Sequence, residues 1–168
     1  MTEQLEAAGI GNYNNWPLNA GPSKVAAVNS PDDDGTTDII TNGDAVRQSF
    51  TLAASAIPPG STINSLSVNC RAGAVWAAAG VSSSLRLGGT DLDGPINALP
   101  TDGTWQTFND IIARPGGGAW SIADLATLEI GILSSNPGPV WIHATTLFVT
   151  VDYTPPAAGA AGDMLLVF

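Results

Sequence analysis

Basic residues are scarce: five Lys and Arg stand against fifteen Asp and Glu in 168 residues, giving a net charge of −10. No Lys/Arg cluster is present to neutralise phosphates, which argues against nucleic acids and anionic membranes as partners. Charge of either sign is thin at 12% of residues, about half the usual share, and Gly, Ser, Thr and Asn must supply the polar faces. The single cysteine, Cys70, excludes an intramolecular disulfide and any cysteine-based zinc site. It reads as a small buried hydrophobe. With one histidine, His143, and no His-Glu-x-x-His, a zinc hydrolase is excluded. There is no Gly-x-Ser-x-Gly elbow and no Ser-x-x-Lys. A Ser/His/Asp site would have to be built on His143, whose setting in "WIHATT" reads more simply as a histidine on a half-exposed strand face. No run approaches the roughly 18 apolar residues of a membrane span. The opening "MTEQLEAAGIGNYNN" is acidic and lacks the basic and apolar regions of a signal peptide. The expectation is a protein made in a cytosol and not exported by that route, a trait that virion proteins share.

What is abundant is turn-forming residues, with 19 Gly and 12 Pro, and apolar residues at 44% spread along the chain. Residues 1–22 carry Gly9, Gly11, Pro17, Gly21 and Pro22 without sustained periodicity, and read as an N-terminal arm. From Lys24 onward the signals are those of strands: "KVAAV", then "TTDII" and "AVRQSFTL" flanking Asn42-Gly43, a pair that predicts a type I′ hairpin. "INSLSVNCRAG" alternates cleanly, with Leu66, Val68, Cys70 and Ala72 on one face. "VSSSLRLGG" repeats the pattern, "TDLDGPINALPTDGT" reads as loop and "WQTFNDII" as a strand. Ser121 followed by Asp124 approximates a capping box, predicting one short helix near 121–128. Leu147, Val149, Val151 and Tyr153 alternate in the last strand. Residues 154–168 form a Pro/Ala/Gly linker ending in the apolar tip "MLLVF". The whole predicts an all-β protein: an antiparallel β-sandwich, jelly-roll-like, over 23–153 with arms at both ends.

Two constellations bear on function. In "VNSPDDDGTTDII" three consecutive aspartates precede Gly35. Register against an EF-hand loop leaves position 1 as Ser30 and position 12 as Thr41, so that motif is rejected. Two readings stay open: a solvated Asx-type turn, or a looser structural Ca²⁺ site using Asp32 and Asp34. Trp16, Trp76, Trp105, Trp120 and Trp141 are the other constellation. Exposed indoles would suit sugars, and buried ones a core or an interface. Trp120 suits the core and Trp16, in the arm, suits an interface. A carboxylate pair for glycosidase chemistry depends on separation in space.

In order along the chain, "NYNNWPLNAGPSKVAAVNSPDDDGTTDII", "RQSF", "IPPGSTINSLSVNCRA", "LRLGG", "AWSIADLATLEIGIL" and "VTVDY" resemble the β-sandwich domain of tailed-bacteriophage virion structural proteins, over about residues 12–153. Asp38 departs from that pattern, which often has an aromatic there. The resemblance implies a non-enzymatic virion protein without a cofactor. Together with the arms it favours a capsid decoration (cement) protein, partnered by the major capsid protein and by copies of itself, a trimer being a plausible symmetric form. Its subunit contacts would come from Trp16 and from Met164, Leu165, Leu166, Val167 and Phe168. The alternative is a head- or tail-fibre adhesin binding host glycans through exposed Trp, and the remote one a glycosidase.

Overall fold

In the computed structural model, residues 1–29, 34–75, 78–136, 138 and 140–157 are described. The chain runs β1 (Thr2–Asn14), β2 (Leu18–Ala20), α1 (Lys24–Val28), β3 (Asp38–Thr41), β4 (Arg47–Leu52), β5 (Thr62–Ala74), β6 (Ala79–Leu87), β7 (Thr90–Asp93), β8 (Asn97–Leu99), β9 (Gln106–Ile111), α2 (Ile122–Leu125), β10 (Glu129–Ser135) and β11 (Ile142–Thr154). Every strand pairing is antiparallel, and the strands form two layers. Layer A is β9–β5–β11, flanked beyond β11 by β3 with β2 and by the first half of β1. Layer B is the second half of β1, then β4–β10–β6, with β7 and β8 on the far edge. This is the expected jelly-roll-like sandwich.

Period-2 alternation places the core between the layers. Leu66, Val68, Cys70 and Ala72 of β5 face Val81 and Leu85 of β6 and Ile130 and Ile132 of β10, all buried. In β11 the inward set changes parity, from Ile142 and Ala144 to Leu147, Val149 and Val151. A bulge makes this possible. Ala144 pairs with Ala72 but Thr146 with Arg71, so Thr145 is the extra residue that re-phases the strand. Burial of Cys70, with the negative Asp110 nearby, pushes its thiol up to about 12, consistent with an inert core residue.

The N-terminal segment departs from expectation. Residues 2–14 are not an arm. Thr2–Glu6 pair with β11 in layer A, and Ala7–Asn14 pair with β4 in layer B. The register shift between Ala7 and Gly9 sits where the strand changes layers, the place where bulges turn corners in sandwiches. Gly9 and Gly11 lie against the side chains of Thr51, Ser49 and Glu129, so this half of the strand shows no apolar alternation in the sequence. Asn42-Gly43 does not close a hairpin either. β3 and β4 lie in different layers, and the positive φ falls on Ala45 rather than on the pair. The segment crosses between layers, held on the end of β10 by Ala45 N–H to Ser134 O and Asn136 N–H to Asp44 Oδ1. "KVAAV" is a helical turn, because Ser23 Oγ accepts from Ala26 N–H at its start. The region read as loop, 90–99, supplies the edge strands β7 and β8.

The capping box at α2 forms as expected: Asp124 N–H donates to Ser121 Oγ and Ser121 N–H to Asp124 Oδ2. Arg114 adds a bidentate pair at 2.9 and 3.0 Å. The Arg114 hydrogen bonds, opposed by burial and aided by the Ser121 N–H, hold the Asp124 carboxyl down to about 2. A depressed carboxylate contributes stability above its unfolded value, about 3.9, and loses it as pH falls through the folded value. Asp124→Asn is therefore expected to cost about 1 kcal/mol at neutral pH, the worth of a helix cap. It should also flatten the loss of stability between about pH 4 and pH 2. Urea midpoints measured across that range check it, and parallel profiles for variant and wild type would count against the assignment.

The outer face of layer B is closed over. Residues 11–13 arch across it, with Asn12 N–H on Glu129 Oε2 and Tyr13 N–H on Ser49 Oγ. Tyr13 lies by the Arg47 and Arg86 guanidinium groups, and its hydroxyl donates to Asp91 Oδ2 on the far strand β7 at 2.7 Å. Arg47–Asp93 and Arg86–Asp91 ion pairs complete the cover, burying Ser49, Ser82 and Ser84 beneath it.

A tryptophan-lined candidate site on layer A

The outer face of layer A is open where β3, β5 and β11 meet the loops. In register across three strands, Ile40 of β3, His143 of β11 and Gly73 of β5 form one row. Trp105, just before β9, covers Gly73: a Cβ there would lie 3.2–3.4 Å from the indole. Glycine thus lets the ring settle on the strand itself. The loop before Trp105 is fixed by Thr104 N–H donating to Asp102 Oδ1, and Thr104's backbone and side-chain hydrogen bonds lower the Asp102 pKa. The Trp105 and His143 rings meet edge to face at 6.0 Å. On the other side Trp141 enters β11 with 44% of its surface exposed.

Two depressions adjoin at His143. One, of about 380 Å³, is lined by Asn19, Ile40, Val75, Trp141 and His143. The other, of about 220 Å³, shares Asn19, Val75 and His143 and adds Trp105, Gly73 and Asp34 among its walls. Beneath lies Asp38, fully buried. Its carboxylate accepts from Asn19 Nδ2 at 2.9 and 3.1 Å and pairs with His143 Nδ1 at 2.5 Å. The aspartate that broke the motif pattern is thus the partner of the only histidine. The sequence signal was present, a charged residue inside an apolar strand, but its partner lies 105 positions away.

The acidic turn contributes differently from the cation reading. Both carboxylate oxygens of Asp34 are taken by Arg71, at 2.6 and 2.9 Å, and Arg71 also donates to Thr107 Oγ1. An arginine occupying both oxygens displaces the ligand role given to Asp34. Asp32 lies outside the described residues, among which no group of three or more His, Cys, Asp or Glu could hold a metal. Trp16 is also corrected. It is wholly buried, its N–H on Gln48 Oε1 and its indole N–H on Val46 O, so it is a core residue and not a surface contact. Trp120 packs partly buried against the core, as expected. Trp76 and the tip residues Met164, Leu165, Leu166, Val167 and Phe168 lie outside the described residues.

No protein-family model and no curated protein sequence matches the chain. Among solved structures, it resembles the CBM36-1 domain of a multidomain xylanase from the hindgut metagenome of Trinervitermes trinervoides. Identity is 11% and the TM-score 0.47, over 90% of this chain and 97% of that one. It also resembles the C-terminal CBM6 of LamC, a marine laminarinase from Zobellia galactanivorans, at 15% identity and TM-score 0.48, over 90% and 100%. A third is the xylan-binding module CBM15, at 15% identity and TM-score 0.48, over 94% and 99%.

Proposed function

We propose that this chain is a non-catalytic glycan-binding module whose site is the Trp105–Trp141 groove on layer A. The observation that carries this is the placement of two incompletely buried indoles on either side of a row with few polar groups. Apolar walls with a small number of fixed polar atoms are what small-ligand sites use, and an exposed Trp face is a costly surface unless something covers it. Catalysis lacks its parts in this groove. Ser, Thr, Cys and Lys are missing from the described lining, Asp38 is committed to His143 and Asn19, and Asp34 to Arg71. A glycosidase would need one carboxyl free to give a proton and another free to act as base or nucleophile.

This reading favours the adhesin over the capsid decoration role. The decoration role relied on arms that reach neighbouring subunits, and the N-terminal one is used up as β1. Placement on a virion surface belongs to this proposal as the setting in which an adhesin acts. The test is titration with oligosaccharides chosen from a glycan array, read by tryptophan fluorescence and calorimetry. Trp105→Ala and Trp141→Ala should each weaken binding about tenfold or more, the loss typical of a central aromatic anchor. Undiminished affinity in the double variant, or an array without a hit, would end the proposal.

A further inference from the structure

Resting on that reading, we infer that Asn19, Asp38 and His143 form a relay that sets the ligand class: a neutral, hydroxyl-rich saccharide, with uronate and sulfated glycans rejected. The inference starts from a buried charge. Asp38 has no exposed surface, and a carboxylate accepts hydrogen bonds but donates none. Both Asp38 oxygens already accept from Asn19 Nδ2, the pattern of a carboxylate, so we place the proton of the 2.5 Å contact on His143 Nδ1. A neutral imidazole with its proton on Nδ1 presents Nε2 as an acceptor. Asn19 spends its amide N–H on both Asp38 oxygens, which leaves its carbonyl Oδ1 as an acceptor as well. Both residues line both depressions.

With the ring neutral, the polar centre of the groove offers acceptors from Asn19 and His143 beside a buried carboxylate, with an indole on either side. A sugar hydroxyl supplies the donor such a site needs. A carboxylate or sulfate ester brings only acceptors and a like charge, leaving the site's polar atoms unpaired, and sites of this kind discriminate strongly. The nearby cation does not reverse the sign, because Arg71 is already held bidentately by Asp34. Asp38 acts through His143, as a positioning residue.

The experiment has two readouts on the full chain. Because His143 is the only histidine, long-range ¹H–¹⁵N NMR at pH 8 reports its tautomer without ambiguity. Wild type should show Nδ1–H. In Asp38→Asn the new amide can donate to Nδ1 and move the proton to Nε2. Calorimetry then compares neutral hexose and pentose oligosaccharides with oligogalacturonate. Wild type should bind the neutral series at least tenfold more tightly, and Asp38→Asn should lose that preference. A proton on Nε2 in wild type, whether in the Nε2–H tautomer or in the imidazolium, overturns the relay. Oligogalacturonate bound as tightly as neutral chains, with binding still lost in Trp105→Ala, overturns the ligand class while the glycan-binding reading stands. Binding of neither series overturns both. The wild-type measurements decide these points whether or not the Asn variant folds.

Discussion

Trp16→Ala is expected to cost the isolated protein about 3–5 kcal/mol, the range for removing a fully buried large aromatic. The indole has no exposed surface, and its loss leaves a cavity between Val46 and Gln48, its hydrogen-bond partners at the start of β4, a strand hydrogen-bonded on both sides and poorly able to collapse into the space. Trp16→Phe should cost much less. It keeps most of the apolar contact and removes the indole N–H, while Val46 O retains the Ser134 N–H at 3.0 Å and is not orphaned. Chemical denaturation of both variants provides the check. The Ala variant should lose a substantial fraction of the roughly 5–15 kcal/mol typical of a folded domain, and the Phe variant about 1–2 kcal/mol. A Trp16→Ala protein as stable as wild type, but defective in self-association, would restore Trp16 to the surface role that the sequence first suggested.

Deleting residues 1–14 should have a larger effect still: no cooperatively folded protein. β1 is 13 residues long, about 43 Å of extended chain, and it closes the sandwich on one side by pairing with β11 and then with β4. Its removal takes Leu5 and Ala7 from the core. It strips the ladder from Phe148–Asp152 and from Gln48–Leu52, leaving two unpaired edges of the kind that seed aggregation. It also removes Tyr13, whose hydroxyl ties β1 to β7 across layer B. Soluble yield, circular dichroism and a thermal melt measure the outcome. A truncated protein melting cooperatively within a few degrees of the full chain would show that the segment is an appendage after all.

These expectations mark where sequence and tertiary structure divide the labour. Short-range physics was readable directly. The alternation of Leu66, Val68, Cys70 and Ala72 specified a half-buried strand and its inward face, because side chains on a strand alternate whatever the strand pairs with. Ser121 and Asp124 specified the start of α2, because a capping box closes within four residues. The scarcity of basic residues set the expectation that nucleic acid is not a partner. Pairing partners were not readable. β1 is divided between two layers, and nothing in its Gly/Ala-rich sequence records which strands will flank it. Asn42-Gly43 has the composition of a hairpin turn, but the choice between turning back and crossing layers was made by contacts with Ser134 and Asn136, some 90 positions away.

The candidate site belongs to the same class. Trp105 and Trp141 were in view from the start among five tryptophans, yet composition could not separate them from Trp16, since exposure is decided by packing rather than residue type. Asp38 and His143 each stood out alone, one as a charge in an apolar strand, the other as the single histidine. Only the register that sets β3 beside β11, and the space that Gly73 leaves for an indole, brings them together as a site.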